Sequence, residues 1–209
     1  MMVAAARPAT APVRKLRVHN RHDSLLAAAA RVFCEKGYAQ ATMRDIAAAS
    51  DMNAGSIYYH FQSKGELLLA VYAEGVALVS EAIEGARSAG EDPWGVLEAA
   101  CRKHLEMMLG TLPGTAPFAR VFVHIQPHDF PAEQREALIA LRHDYEQRFR
   151  QLMDQLPLPR GTDRSLLRLQ LIGGLNHVPI WWKPGGRRSL AAIARTMVRH
   201  LRQPLEMPA

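Results

Sequence analysis

The sequence has few cysteines, few aromatic residues and no long apolar run, and each shortage excludes a class of protein. Among 209 residues there are only two cysteines, Cys34 and Cys101, which lie far apart within helical patterns. So few thiols argue against a disulfide scaffold and favour a reducing, cytoplasmic compartment. No run of eighteen apolar residues occurs, so we expect no membrane span. The 48% apolar content still suffices to bury a core.

Motifs that carry catalysis are also missing. The chain has no glycine-rich phosphate loop, no nucleophile elbow and no HExxH metal motif. His124 and His128 have a spacing that can hold a metal on a helix, next to Asp129, but Pro127 interrupts that helix and no third ligand follows. We therefore expect no enzyme activity, no metal site and no cofactor, and keep a helical metal-dependent enzyme as an alternative.

Acidic residues are scarce near the N-terminus, so the charge is uneven. Residues 1–65 hold nine Lys and Arg against four Asp and Glu, whereas residues 66–209 hold seventeen against sixteen. We interpret residues 1–19 as a flexible basic arm rather than a transit peptide, because helical patterns begin directly after them. Positive charge concentrated in the N-terminal third predicts contact with a polyanion such as DNA.

Two short helices joined by a sharp turn are predicted between Thr42 and Phe61. Thr42 and Asp45 form the pattern of a capping box at the start of the first helix. A turn beginning at Asp51 ends that helix, and Asn53 is a good N-cap for the second. A helix so short is unstable alone in water, so we expect its outward face to have a function. Binding in a groove of DNA is such a function.

From Ser24 to Leu69 the chain resembles the DNA-binding domain of the TetR family of bacterial transcriptional regulators. The features that carry the resemblance are an alanine-rich helix ending at Gly37-Tyr38, then Thr42, Asp45-Ile46-Ala47, Gly55, Tyr58-Tyr59-His60-Phe61 and Ser63-Lys64. Two positions depart from the family pattern. Asp51 replaces a turn glycine, which is sterically tolerable, and Ala54 replaces a frequent lysine, which removes one phosphate contact.

The resemblance implies an all-α, nine-helix TetR-like fold. It implies a helix-turn-helix DNA-binding domain over residues 20–66 and a ligand-binding and dimerisation domain over residues 67–209. Apolar periodicity and capping residues place the helices at about 20–36, between Thr42 and Asp51, and at 54–61, 64–87, 93–109, 116–125, 131–156, 163–182 and 189–202.

We expect the second short helix to enter the major groove with its first residues nearest the bases, while flanking residues reach the phosphates. The expected DNA contacts are Thr42, Arg44, Asn53, Ala54, Gly55, Ser56, Tyr58, Tyr59, His60 and Lys64. Some alternatives stay open. Either tyrosine can instead pack against the first helix, His60 can be a partly buried histidine, and Arg44 can be a solvated charge.

A homodimer on a palindromic operator is expected, because a single module of this size binds DNA weakly. Apolar stripes with small residues on the last two helices predict the interface, at Leu166, Leu169, Ile172, Gly173, Ile193, Met197 and Leu201. Part of these stripes can equally be core within one chain.

Met and aromatic residues on the fourth to eighth helices predict an adaptable, mostly apolar effector cavity. Its expected lining is Trp94, Leu97, His104, Met107, Met108, Phe118, Phe122, Tyr145, Phe149, Asn176 and Trp181, although each can be plain core. Residues 176–186 resemble a Trp- and Pro-Gly-Gly-containing segment of family members that respond to acyl-CoA, with His177 in place of the usual aromatic.

The resulting hypothesis is a DNA-binding transcriptional repressor that a small, largely apolar effector, such as an acyl-CoA or another lipid-like compound, releases from its operator. The competing interpretation is a non-specific architectural DNA-binding protein, which would bind random and palindromic duplexes alike.

Overall fold

Nine α-helices build the part of the chain that the computed structural model describes, residues 13–88, 92–112, 114–125 and 127–206. They are α1 (Val13–Gln40), α2 (Met43–Ala49), α3 (Ala54–His60), α4 (Lys64–Ser88), α5 (Pro93–Met108), α6 (Ala116–His124), α7 (Ala132–Asp154), α8 (Arg164–Trp181) and α9 (Leu190–Glu206). A single 3-10 turn, Pro127–Asp129, precedes α7. These residues contain no β-strand, so the predicted all-α class is confirmed.

Helix ends lie within four residues of the predicted ones except at the start of α1. α1 begins at Val13, seven residues before Asn20, so the predicted flexible arm is helical from residue 13; residues 1–12 lie outside the described part. At its other end Gly37 has φ 74° and ψ 156° and interrupts the helical run. That is the predicted stop, since glycine adopts positive φ without steric cost.

The predicted caps of the helix pair are confirmed. The Asp45 backbone N–H donates to Thr42 Oγ1 at 3.1 Å, and the Thr42 N–H donates to Asp45 Oδ2 at 3.0 Å. Asn53 Oδ1 accepts from the Ser56 N–H at 2.7 Å. These short polar side chains satisfy helix N–H groups that have no partner within the helix.

The start of α4 has a variant of the capping box. Ser63 Oγ accepts from the Glu66 N–H at 3.1 Å, and the Glu66 carboxylate accepts from Gln62 N at 2.7 Å instead of returning to Ser63. The start of α4 is therefore held through the residue before its cap.

Two hydrophobic cores share α4. The N-terminal core contains α4 residues Leu67 to Tyr72 together with side chains from α1, α2, α3 and α6. The C-terminal core contains Val79 and Ile83 of α4 together with side chains from α5, α7, α8 and α9. Phe122 of α6 contacts both cores. Helix α4 is thus a rigid connection between the helix-turn-helix and the larger helical body.

Gly75 allows α6 to cross α4 closely. A Cβ built at this position would lie 2.3 Å from Cε2 and 2.6 Å from Cζ of Phe122, well inside contact distance. The aromatic ring therefore occupies the space that a side chain on α4 would need.

Asp51 has φ 53°, a left-handed conformation that favours glycine. We expect the free energy of unfolding of Asp51→Gly to be about 1 kcal/mol larger than that of Asp51→Ala. The Cβ of alanine is sterically strained at positive φ, whereas glycine has no Cβ. Urea titration of both variants beside the wild type measures this. Equal stabilities for the two variants would contradict the assignment of strain to this turn.

Candidate DNA-binding surface and effector cavity

Helix α3 is fixed by one buried side chain and presents the rest of its surface outward. Ile57 is fully buried in the N-terminal core, whereas Tyr59 is 86% exposed and Tyr58 is 52% exposed. His60 is exposed as well, and its ring meets that of Tyr59 edge-on at 5.1 Å between centroids. Neither tyrosine is buried against α1, so both are available to a partner.

Residues from the start and the end of α3 line a shallow depression on the surface. Its walls are Asn53, Gly55, Ser56, Tyr59 and His60. A Cβ built at Gly55 would meet only Asn53 Oδ1, at 3.4 Å, which is an ordinary contact. The fold itself thus does not require glycine at this position, and a close approach by a partner is the remaining physical reason for it.

Helix α2 contributes one exposed cation, Arg44. Thr42 is exposed too, but its hydroxyl both accepts from Asp45 N and donates to Asp45 Oδ2, at 2.8 Å. Hydrogen bonds from Lys36 and Thr42 hold the pKa of Asp45 at about 2. Thr42 therefore has a local structural role beside any contact with DNA.

The structure gives Lys64 a role within the fold, and its predicted phosphate contact stays a prediction. Its Nζ donates to the carbonyl oxygens of Tyr38 at 2.6 Å, Ala41 at 2.9 Å and Ala39 at 3.2 Å. It also lies 4.4 Å from the centroid of the Tyr38 ring. Desolvation lowers the pKa of this ammonium. Lys64 thus ties the start of α4 to the end of α1, because exposed carbonyls there attract a cation.

A cavity of about 430 Å³ lies between α4, α5, α6, α7 and α8. Six residues predicted for an effector site line it: His104, Met107, Met108, Phe122, Tyr145 and Asn176. Eight further lining residues were not predicted for it: Tyr72, Val76, Val79, Arg142, Glu146, Ile172, Pro179 and Ile180. Tyr72, Val76 and Val79 share one face of α4 at helical spacing, which is the signal that could have found them.

Five predicted lining residues lie elsewhere. Trp94, Leu97 and Phe149 are buried in the C-terminal core, and Phe118 is buried in the N-terminal core. Trp181 is 45% exposed and borders a surface groove with Trp182, Lys183, Gly186, Arg187 and Arg188. Helical periodicity marks an inward face without distinguishing packed core from cavity wall, which explains the mixture.

A chain of three polar side chains forms part of the cavity wall. His104 Nδ1 is within hydrogen-bond distance of the Tyr145 hydroxyl, and His104 Nε2 lies 3.0 Å from Asn176 Oδ1. Burial lowers the pKa of His104 to about 4 and raises the pKa of Tyr145 well above its usual value of 10. Both side chains are therefore uncharged near neutral pH.

Charged groups of α7 flank this chain. Arg142 Nε donates to the Tyr72 hydroxyl at 3.0 Å, so a residue of α7 holds one of α4. Glu146 pairs with Arg168 of α8 at 2.9 Å. The cavity thus combines apolar side chains, mainly of methionine, phenylalanine, valine and isoleucine, with polar side chains from α4, α5, α7 and α8.

The predicted interface residues divide between an outward and an inward set. Leu166 and Leu169 on α8 are 52% and 53% exposed, and a Cβ at Gly173 would meet no atom within 4 Å. Ile193 is buried in the C-terminal core, and Ile172, Met197 and Leu201 are partly buried against it. The outward stripe therefore belongs to α8, and much of the α9 stripe is core within the chain.

No group of three or more His, Cys, Asp or Glu in the described part of the chain is arranged to hold a metal ion. The side chain of His124 lies outside that part. No described helix is both long and apolar enough to cross a bilayer.

The depressed pKa of His104 makes stability depend on pH. Between its unfolded value, 6.5, and its folded value of about 4, the unfolded chain binds a proton that the folded chain does not. The free energy of unfolding therefore falls as pH falls through this window, by about 2–3 kcal/mol. Urea titrations at pH 7 and pH 4.5 should show a smaller loss in His104→Gln than in the wild type. His60→Gln serves as control, and a loss as large in His104→Gln as in the wild type would refute this origin.

Comparison with known proteins completes the description of the site. The family model for bacterial regulatory proteins of the tetR family matches residues 25–71, and the tetracyclin repressor-like C-terminal domain matches residues 90–205. The HTH-type transcriptional repressor KstR2 of Mycobacterium tuberculosis is 42% identical over 52 residues, which are 25% of this chain and 26% of that protein. The chain thus aligns with about a quarter of the length of the curated relatives it matches first.

Two solved structures are similar over most of the chain. The superantigen PfiT is 27% identical with a TM-score of 0.74, covering 86% of this chain and 95% of that one. AibR in complex with isovaleryl coenzyme A and operator DNA is 27% identical with a TM-score of 0.70, covering 86% of this chain and 97% of that one. With both family models matched in order, this chain belongs to the TetR family of bacterial regulatory proteins.

Proposed function

We propose that this protein is a cytoplasmic transcriptional repressor that binds a palindromic operator as a homodimer and is released by a small, largely apolar effector. The observation that carries the proposal is the position of α3. One buried side chain, Ile57, anchors this helix in the N-terminal core, while Tyr58, Tyr59 and His60 remain exposed. A short helix propped from behind with an exposed polar and aromatic face fits the major groove of DNA.

Contacts with DNA divide into two kinds. Asn53, Ala54, Gly55 and Ser56 begin α3 and would lie nearest the base edges, so they are the candidates for sequence readout. Tyr58, Tyr59, His60, Thr42 and Arg44 would meet sugars and phosphates around them. The N-terminal excess of basic residues supports attraction to the duplex at longer range.

The outward stripe of α8 supports a homodimer. Leu166, Leu169 and Gly173 follow each other at helical spacing on one exposed face, and the missing side chain at Gly173 leaves room for a second helix. A two-fold axis along this face would present two copies of α3 to one palindrome.

An effector in the cavity can act on DNA binding through α4 and α6. Val76 and Val79 of α4 and Phe122 of α6 line the cavity, while Leu67 and Leu68 of α4 pack beside α3 in the N-terminal core. An effector that prefers a wider cavity would shift these helices and re-aim α3. The AibR structure contains isovaleryl coenzyme A together with operator DNA, which supports an acyl-CoA as the effector of this chain.

Selection of binding sites from random duplexes, followed by affinity measurement, tests the proposal. We expect the selected sequence to be palindromic and to bind at least about 1000-fold tighter than random DNA. Equal affinity for both would instead identify an architectural DNA-binding protein. Addition of short and long acyl-CoAs to the operator complex then tests release.

Replacement of Gly55 separates DNA contact from folding. We expect Gly55→Ala to keep the wild-type melting temperature or raise it slightly, since the fold leaves space for the methyl group. Operator affinity should fall on the order of tenfold or more, because the methyl group intrudes on the duplex. Gly85→Ala is the matched control, as its Cβ would also meet no atom within 4 Å but lies on α4 beyond the cavity. Unchanged affinity in Gly55→Ala would exclude close approach at this residue.

Substitutions of Arg44 and Lys64, the two cations predicted to contact phosphates, should have different effects. Arg44→Gln should weaken binding to all duplexes and reduce the salt dependence of log affinity by about one unit, with stability unchanged. Lys64→Met should instead lower the free energy of unfolding by about 1–3 kcal/mol, because three carbonyls lose their donor. Salt titration of operator binding and urea unfolding measure both effects. A Lys64 variant of normal stability with a reduced salt slope would restore the phosphate assignment.

A further inference from the structure

The polar side of the cavity determines which hydrogen bonds an effector can make there. His104, Tyr145 and Asn176 line it from α5, α7 and α8, together with apolar residues such as Val76 and Phe122. His104 is buried, Tyr145 is partly buried and Asn176 is exposed. A few polar groups in a mostly apolar site orient and select a ligand. The direction of each hydrogen bond among these three residues can be assigned from their chemistry.

A neutral imidazole has one donor nitrogen and one acceptor nitrogen. If the Tyr145 hydroxyl donates to His104 Nδ1, then His104 Nε2 carries the proton and donates to Asn176 Oδ1. This arrangement agrees with the oxygen of Asn176 facing the ring, and it satisfies both ring nitrogens.

The opposite direction conflicts with the amide oxygen of Asn176. It would place the proton on Nδ1 and leave Nε2 as an acceptor that faces Asn176 Oδ1, a second acceptor, at 3.0 Å. Two acceptors cannot form a hydrogen bond with each other. The first direction is therefore favoured, and the neutral states of His104 and Tyr145 permit it.

In the favoured direction the oxygen of Asn176 is occupied by His104. The amide nitrogen of Asn176 makes no hydrogen bond within the described part of the chain, and the residue lines the cavity. The cavity wall consequently offers N–H donors at this point, and a hydrogen-bond acceptor on an effector is their natural partner.

We propose that Asn176 is the specificity-determining residue of the effector site and donates its amide N–H to the carbonyl oxygen of an acyl group. His104 and Tyr145 are positioning residues that keep the oxygen of Asn176 turned away from the effector. The apolar wall holds the hydrocarbon part of the same acyl group. The inference rests on the proposed effector function and adds the atom that is recognised.

Paired ligands that differ only in the carbonyl test this assignment. Isovaleryl-CoA and its thioether analogue S-isopentyl-CoA have the same chain and the same nucleotide, and longer acyl and alkyl pairs extend the comparison. Titration calorimetry should show the wild-type protein binding the thioester about five- to tenfold tighter than the thioether. Asn176→Leu should bind both members of a pair equally. Equal binding by the wild type, or a preference that survives in Asn176→Leu, would overturn the proposal.

A separate binding experiment identifies which kind of compound supplies the acyl oxygen. Free carboxylic acids of the same chain lengths present the same oxygen without the nucleotide. If the acids bind and lose affinity in Asn176→Leu, the recognised group is a carboxylate; if only the thioesters do so, it is a thioester carbonyl. Either result supports the role of Asn176. If no acid or thioester binds, the acyl assignment fails, whereas operator binding measured beside it reports independently on the DNA-binding function.

An NMR measurement tests the positioning role of His104 and Tyr145. Nitrogen-15 NMR of histidine-labelled protein distinguishes the protonated from the unprotonated ring nitrogen, and the His104→Gln variant identifies the His104 signals among nine histidines. We expect the Nε2-protonated neutral form at pH 7. Tyr145→Phe should remove this fixed tautomer and reduce the preference for the thioester while the protein stays folded. An Nδ1-protonated His104 in the wild type would contradict the hydrogen-bond direction and, with it, the donor role of Asn176.

Discussion

Burial of Ile57 is the interaction on which the DNA-binding surface depends. Helix α3 spans only Ala54–His60, and a helix of this length cannot sustain itself in water. Its cap at Asn53 accepts the Ser56 N–H, but orientation comes from burial of Ile57 in the N-terminal core, where α3 packs against α2. Any movement of the helices that form this core therefore changes where Tyr58, Tyr59 and His60 point.

Packing contacts also connect the cavity to the proposed DNA-binding surface. Phe122 of α6 lines the cavity, contacts both cores and occupies the space above Gly75 of α4. Its ring also lies 4.4 Å from that of Tyr72, centroid to centroid. Close-packed contacts of this kind transmit displacement because they cannot be compressed without cost. In the proposed mechanism, an effector that displaces this ring would also displace α4, which shares the N-terminal core with α3.

Local chemistry explains which features the sequence could predict. The Thr42 and Asn53 caps, the stop at Gly37 and the turn at Asp51 depend on residues close together in the chain, so pattern and conformational preference suffice. The start of α1 was missed because residues 1–19 were interpreted together as a basic arm, although Val13 and Leu16 have helical spacing.

Features that depend on distant residues could not be predicted in the same way. Lys64 has the position of a phosphate-binding residue in the family pattern, yet its acceptors Tyr38, Ala39 and Ala41 lie more than twenty residues away. The sequence pattern predicts both Trp94 and His104 as inward residues of α5. Only His104 borders the cavity, whereas Trp94 is buried in the C-terminal core. Which inward residues meet empty space depends on how five helices pack together, and that is not encoded by the period of any one of them.

The contacts of Lys64 also affect how charged and uncharged contacts are divided on the proposed DNA-binding surface. An ammonium that donates to three carbonyls near the end of α1 keeps its positive charge but has fewer free N–H donors for a phosphate than one in solvent. Arg44 on α2 is exposed, and so are Tyr58, Tyr59 and His60 of α3, which can contact phosphates without a formal charge. In the proposed complex the basic excess of the N-terminal third would supply attraction at a distance, and the short-range contacts of α3 would distinguish one site from another.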